Sequence, residues 1–238
     1  MQSVPGILLG AGSSKRFGSE KLLTLLPSGE TLFERALRVH LQSQISPLIA
    51  VVSPSLGRII RENTGILTFS GMVLREKLYQ GYAFFSRWGE GRLVINESFQ
   101  EGISSSIQKG LGCLKDEEEA DGLLISLSDL PLLTPETINF FIKVFLEQKA
   151  GILFPVFNGI TGHPVIVDIN RFKNDISKIK GDIGLRILIN KYSRVVKKIP
   201  WGDDSVTWDI DTPQDLERLQ KIDGETIPDL VTYDKIIN

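Results

Sequence analysis

Short runs of apolar, β-favouring residues alternate along this chain with longer amphipathic stretches. Residues 4–9, 48–53, 92–96, 122–128, 151–157 and 164–167 read as strands, and residues 31–44, 56–63, 103–114, 135–148 and 183–191 as helices. Nearly continuous apolar strands separated by helices predict a parallel sheet covered on both faces. The expected fold is α/β: a three-layer α/β/α sandwich around a Rossmann-like, mostly parallel sheet. Asn158 and Gly159 place a turn signal between two β-rich runs, which predicts a small antiparallel hairpin inserted into that pattern. Residues 64–91 mix aromatics and glycines without a firm period, and the pattern leaves open whether they form a lid. Thr212 and Pro213 mark the start of a further helix.

Composition narrows the function classes. The chain has 238 residues, 42% hydrophobic and 24% charged, which is ordinary for a globular protein with a sizeable core. Its 27 Lys and Arg against 29 Asp and Glu leave a net charge of -2, so no broad basic surface for nucleic acid is expected. One cysteine, Cys113, excludes an internal disulfide and a CxxC metal site. No apolar run approaches the roughly 20 residues of a membrane span, and no signal-type segment opens the chain. These features predict a cytoplasmic protein without a membrane partner.

Against this acidic background, the loop after the first strand, "LLGAGSSKRFGSEKL", is rich in glycine and cations. At the carboxyl end of a strand, Gly10, Gly12 and Gly18 would let backbone amides approach phosphate oxygens, with Arg16 and Lys21 adding charged donors. The bland alternative is a glycine-rich turn with surface cations. Two familiar phosphate loops do not fit: a dinucleotide fingerprint needs glycine where Lys15 stands, and a P-loop needs Gly-Lys beginning at Lys15 or Phe17. Asp129, closing the apolar run "GLLISLS", suits a hard cation on the same rim, or simply shapes the turn before Pro131. Asp209 and Asp211 alternate around Ile210 and project to one side of an extended segment. No pair of histidines has zinc spacing.

The loop resembles the LxAGxSxRxGxxK signature of the MobA-like nucleotidyltransferases, and within them the molybdenum cofactor cytidylyltransferases. The similarity continues through "NESFQEGISSSIQKGL", "LSDLPLLTPETI", "GHPVIV", "GDIGLRILI" and "DIDTPQDLERL", in the family's order and over nearly the whole chain. It implies a single nucleotidyltransferase domain over residues 1–238 that moves CMP from CTP to the terminal phosphate of a molybdopterin-type cofactor. Leu9, Gly10, Ala11, Gly12, Arg16 and Lys21 would hold the triphosphate, with Asn96, Gly102 and Ser106 beside the nucleotide. Lys21, Arg16 and Asp129 are then the catalytic residues, and Asp129 and Asp211 the ligands of Mg²⁺, with Mn²⁺ as substitute. The family's LAAG loop goes with cytidylyl transfer and LAGG with guanylyl transfer; Leu9-Gly10-Ala11-Gly12 matches the former at its third position and departs at its second.

The same resemblance puts His163, Asp182 and Arg186 on the acceptor side. Read alone, His163 is a structural hydrogen-bonding residue, Asp182 an N-cap, and Arg186 either its ion-pair partner or an anion contact. Likewise, the serines after Gly102 can cap a helix as readily as bind a nucleotide. Asp215 reads as a helix-surface or first-turn acid. The implied partners are a nucleotide and a pterin phosphate, with a molybdoenzyme as client. The alternatives are GTP-dependent transfer, another phosphorylated acceptor such as a sugar phosphate or methylerythritol phosphate, and a non-catalytic cofactor-binding chaperone.

Overall fold

The computed structural model describes residues 3–12, 21–62, 71–78, 80–114 and 120–224. From the amino end come β1 (Gly6–Gly10), α1 (Leu32–Leu41), β2 (Leu48–Val52), α2 (Pro54–Glu62), β3 (Val73–Leu78), β4 (Gly81–Ser86), β5 (Gly89–Ile95) and α3 (Ile103–Leu111). The second half adds β6 (Leu123–Leu127), α4 (Pro135–Gln148), β7 (Ile152–Phe157), β8 (Ile160–Thr161), β9 (Val165–Val167), α5 (Ile169–Ile176), α6 (Arg186–Lys191), β10 (Val196–Pro200) and α7 (Pro213–Gly224).

One open sheet runs β10-β7-β9-β6-β1-β2-β5-β4-β3, with β8 paired to β7. Its centre, β6-β1-β2-β5, is parallel. Only β9 and β4 run against the other strands of that order, because each pairs antiparallel with both its neighbours. Successive side chains of a strand take opposite faces, and the central strands are apolar on both. Leu8, Ala50, Val52, Leu93 and Leu124 pack with Phe33 and Leu37 of α1, Leu56 of α2 and Phe141 of α4. Ile7, Leu9, Ile49, Val51, Val94 and Ile125 pack with Ile107 of α3, Phe172 of α5 and Leu188 of α6. Helices therefore cover both faces, and the three-layer α/β/α sandwich follows from strands that have no polar side.

Local chemistry sets the ends of these elements. Thr31 and Glu34 form a reciprocal cap on α1, the Thr31 hydroxyl accepting from the Glu34 amide at 3.2 Å and the Glu34 carboxylate accepting from the Thr31 amide at 2.9 Å. Asn158 (φ 49°) and Gly159 (φ 80°) are both left-handed, as a two-residue hairpin requires, and join β7 to β8. The hairpin is thus present, but the run expected at residues 164–167 does not complete it: β9 returns between β6 and β7 instead.

One further expectation changes, and a stretch the pattern left open takes a definite form. Residues 183–191 do not form one helix; a 3-10 turn at Gly181–Ile183 is separated from α6 by Gly184, whose φ of 55° no continuous helix can adopt. The described part of residues 64–91 forms β3 and β4, which with β5 extend the sheet at its edge as an antiparallel meander. Among the described residues no helix is long and apolar enough to cross a membrane.

Candidate active site

The chain places β2 on one side of β1 and, much later, β6 on the other. This topological switch point leaves a crevice beyond the strands' carboxyl ends, where open α/β sheets bind ligands. The cleft there has a volume of about 590 Å³. Leu9, Gly10, Ala11 and Gly12 form one wall, Leu127, Ser128 and Asp129 the next, and Lys21 closes a corner. The opposite wall is the start of α3, with Phe99, Gly102, Ile103 and Ser106, and the neighbouring Asp182. A Cβ on Gly10 would press on the Ser128 hydroxyl at 3.1 Å and on Leu22 at 3.3 Å, whereas a Cβ on Gly12 would meet nothing within 4 Å. Gly10 is thus closely packed by side chains that a Cβ would have to displace by a few tenths of an ångström, and Gly12 faces open space.

Lys21 is the electrostatic centre of this rim. Its Nζ donates to Asp129 Oδ2 at 2.7 Å, to the Ile210 carbonyl at 2.7 Å and to Asp211 Oδ1 at 3.2 Å. Burial alone would lower the lysine pKa, but the Asp129 and Asp211 carboxylates outweigh it and raise the pKa above the ordinary value, so the ammonium stays charged. Asp209 joins the cluster: carboxylate oxygens of Asp129, Asp209 and Asp211 lie within 4.8 Å of one another. Burial, together with the negative charges of Asp129 and Asp211, raises the Asp209 pKa. Asp129 Oδ1 is buried and has no hydrogen-bond partner among the described residues. An oxygen-only donor set with one orphaned carboxylate oxygen fits a hard divalent cation, and a buried acceptor atom left without a partner is otherwise costly.

The segment that carries Asp209 and Asp211 is held by backbone. The Ile210 amide donates to the Asp129 carbonyl at 3.0 Å, tying it to the end of β6. Asp215 is the first-turn acid of α7, and it also grips the segment before the helix: its Oδ2 accepts from the Asp211 amide at 3.1 Å and from the Thr212 amide and hydroxyl, each at 2.7 Å. Its place three residues after Thr212, a capping-box spacing, is the signal in the sequence that could have marked it.

The remaining candidates fall into two groups. Gly102 and Ser106 line the cleft, but Asn96 stands behind it. It is 2% exposed, with its amide donating to the Ser105 and Ser106 hydroxyls at 2.9 Å each. The Asn96 side chain is consumed in holding those serines. Asp182 caps α3 rather than its own helix, Oδ1 accepting from the Ile103 amide at 3.2 Å. Gly102 permits this approach: its φ is 97°, and a Cβ there would lie 2.4 Å from the Gly181 backbone. His163 is half-buried, its Nδ1 3.3 Å from the Ile125 carbonyl. Burial, with a smaller push from the charge of Arg186, lowers its pKa and keeps it neutral near pH 7. Arg186 is exposed at the start of α6. Arg16 lies outside the described residues.

An open α/β sheet with a glycine-rich strand end facing a lysine and a carboxylate cluster across the switch-point cleft has the fold of α/β nucleotidyltransferases. The model of the MobA-like NTP transferase domain matches residues 6–195, and the chain belongs to that family. It is 24% identical over 224 residues to nicotine blue oxidoreductase of Paenarthrobacter nicotinovorans, covering 91% of this chain and 96% of that protein. It is also 24% identical over 167 residues to molybdenum cofactor cytidylyltransferase of Escherichia coli (strain K12), covering 70% and 71%. Among solved structures, Rv0371c of Mycobacterium tuberculosis H37Rv superposes with a TM-score of 0.70 at 22% identity, covering 92% of this chain and 98% of that one. The manganese complex of Rv0371c gives 0.66 at 20% identity, covering 92% and 99%. Asp209 and Asp211 lie beyond the residues the family model matches.

Proposed function

We propose that this protein is a Mg²⁺-dependent cytidylyltransferase, with Mn²⁺ as substitute, that moves CMP from CTP to the terminal phosphate of a molybdopterin-type cofactor. Residues 1–238 act as one domain in the cytoplasm, and a molybdoenzyme receives the product. The observation that carries the reading is the convergence of Lys21, Asp129 and Asp211 at one corner of a glycine-walled cleft. Support for the acceptor comes from the cytidylyltransferase of Escherichia coli among the relatives, and for the metal from the manganese complex of Rv0371c. Ala11, in the third position of the loop, favours cytosine.

In this mechanism the backbone of residues 9–12 and the ammonium of Lys21 bind the triphosphate and orient it in line with the acceptor. An oxygen of the acceptor phosphate attacks the α-phosphorus of CTP; the bond from that phosphorus to the β-bridging oxygen breaks, and pyrophosphate leaves with the electron pair. The acceptor is already an anion, so no side chain has to remove a proton from it. Asp129 and Asp211 would hold the divalent cation, with Asp209 as the third carboxylate of the cluster, and the ion would neutralise triphosphate charge. Lys21 supplies fixed positive charge where negative charge builds at the α-phosphate. His163 and Arg186 flank the acceptor, His163 as a neutral hydrogen-bonding ring and Arg186 as an anion contact.

The test is a matrix of CTP, GTP, ATP and UTP against molybdopterin, a sugar phosphate and methylerythritol phosphate, read by pyrophosphate release and product mass. A CMP adduct of molybdopterin is the expected product. A GMP adduct reverses the base assignment, and a product on another acceptor reverses the acceptor. Binding of nucleotide and pterin without pyrophosphate would identify a non-catalytic carrier.

A further inference from the structure

Asp211 sits on residues 207–212, which belong to no strand or helix, yet a ligand must be aimed to within a fraction of an ångström. Two anchors aim it. On the amino side, the Ile210 amide binds the Asp129 carbonyl, and the Ile210 side chain is 1% exposed in the core. On the carboxyl side stands Asp215. In the capping box of α1 the longer Glu34 reaches back to the N-cap residue only, its Oε2 accepting from the amide of Thr31 at 2.9 Å and from its hydroxyl at 3.1 Å. Here the shorter aspartate turns one oxygen onto three donors, including the amide of Asp211, the residue before the cap. The Thr212 hydroxyl also accepts from the Asp215 amide at 3.3 Å, closing the loop.

We propose that Asp215 is a positioning residue of the metal site: by gathering the amides of Asp211 and Thr212 on one carboxylate oxygen, it fixes the direction in which the Asp211 side chain leaves the backbone toward Asp129. The proposal rests on the reading of Asp129 and Asp211 as a cation site. It assigns Asp215 no contact with substrate or metal. Residues that orient ligands through such outer contacts change metal affinity as well as stability. A helix cap alone changes only stability.

The experiment compares Asp215→Ala, Asp215→Asn, Asp129→Asn and Asp168→Ala in the full chain. Asp168 caps α5, accepting from the Arg171 amide at 3.0 Å, and belongs to no part of the proposed site. Mn²⁺ affinity is measured without nucleotide by the paramagnetic resonance signal of the free ion, and hydrogen exchange at the Asp211 and Thr212 amides is followed in metal-free protein. Asp215→Ala is expected to weaken Mn²⁺ binding on the order of tenfold and to accelerate exchange at both amides. Asp215→Asn, which keeps the volume, is expected to shift both in the same direction by less. Asp168→Ala is expected to lose thermal stability with Mn²⁺ affinity unchanged. Should Asp215→Ala lose stability like Asp168→Ala while binding Mn²⁺ as the unsubstituted protein does, Asp215 is a cap and nothing more. Unchanged Mn²⁺ affinity in Asp129→Asn would overturn the cation site itself; the exchange data then decide separately whether Asp215 holds the Asp211 backbone.

Discussion

The Lys21 ammonium is surrounded by two carboxylates and a carbonyl, the same oxygens a divalent cation would seek. In this arrangement lysine and metal compete for Asp129 and Asp211, and a triphosphate gives Lys21 another anion to bind. Lys21→Met should therefore lower turnover by roughly 100-fold or more, the loss typical of one aimed charge, while strengthening Mn²⁺ binding in the absence of nucleotide. Single-turnover kinetics and metal titration read the two effects independently. His40 carries a different consequence. It is 1% exposed, its Nδ1 lies 2.7 Å from the Ala36 carbonyl, and burial lowers its pKa from 6.5 to about 4. The unfolded chain takes the proton first, so the stability from a neutral His40 is complete above about pH 6.5 and is lost as pH falls toward 4. That loss amounts to roughly 3 kcal/mol, and His40→Leu should flatten the acid limb of urea-denaturation stability against pH.

Gly102 links two elements that local sequence cannot connect. Its positive φ lets the start of α3 meet the turn at Gly181–Ile183, 79 positions from Ile103, where Asp182 supplies the missing cap. Gly102→Ala should lower the urea midpoint and weaken nucleotide binding together, because the wall of the cleft and the cap of α3 are the same contact. Calorimetric titration with CTP beside urea denaturation checks this. The contact also shows what the sequence could and could not disclose. The strands of the parallel centre were legible because both their faces are apolar, and the Asn158-Gly159 turn because its backbone demands those residue types. The β3 and β4 pair beyond β5 was not: a register shift between Leu74 and Glu76 breaks its alternation, and Gly81 is dictated by the approach of the Leu93 carbonyl, a contact between strands. At the site, the loop glycines and Asp129 were legible from position at strand ends. The Asn96 bonds to Ser105 and Ser106, the long-range cap by Asp182 and the grip of Asp215 on Asp211 were not, since each depends on which polar atoms folding brings together.

The whole molecule closes its candidate site from the two ends and the middle of the chain: Lys21 is 108 positions from Asp129 and 190 from Asp211. A ligand bound there bridges β1, β6 and the segment before α7, so opening any of the three releases it. Binding to the native state alone stabilises in proportion to the logarithm of ligand concentration over Kd, about 2.7 kcal/mol at 100 times Kd. For a chain of this length that corresponds to a rise in Tm of roughly 5–10 °C. With Mg²⁺ present, CTP is expected to give this rise; with the metal chelated, CTP alone should give a distinctly smaller one, because the triphosphate then meets the carboxylates of Asp129, Asp209 and Asp211 without an intervening cation. Asp129→Asn and Asp211→Asn should remove the metal-dependent part and spare the remainder held by the loop and Lys21. An equal rise with and without metal, measured by thermal denaturation, would mean that the nucleotide does not use the carboxylates, and that their convergence on Lys21 serves the fold alone.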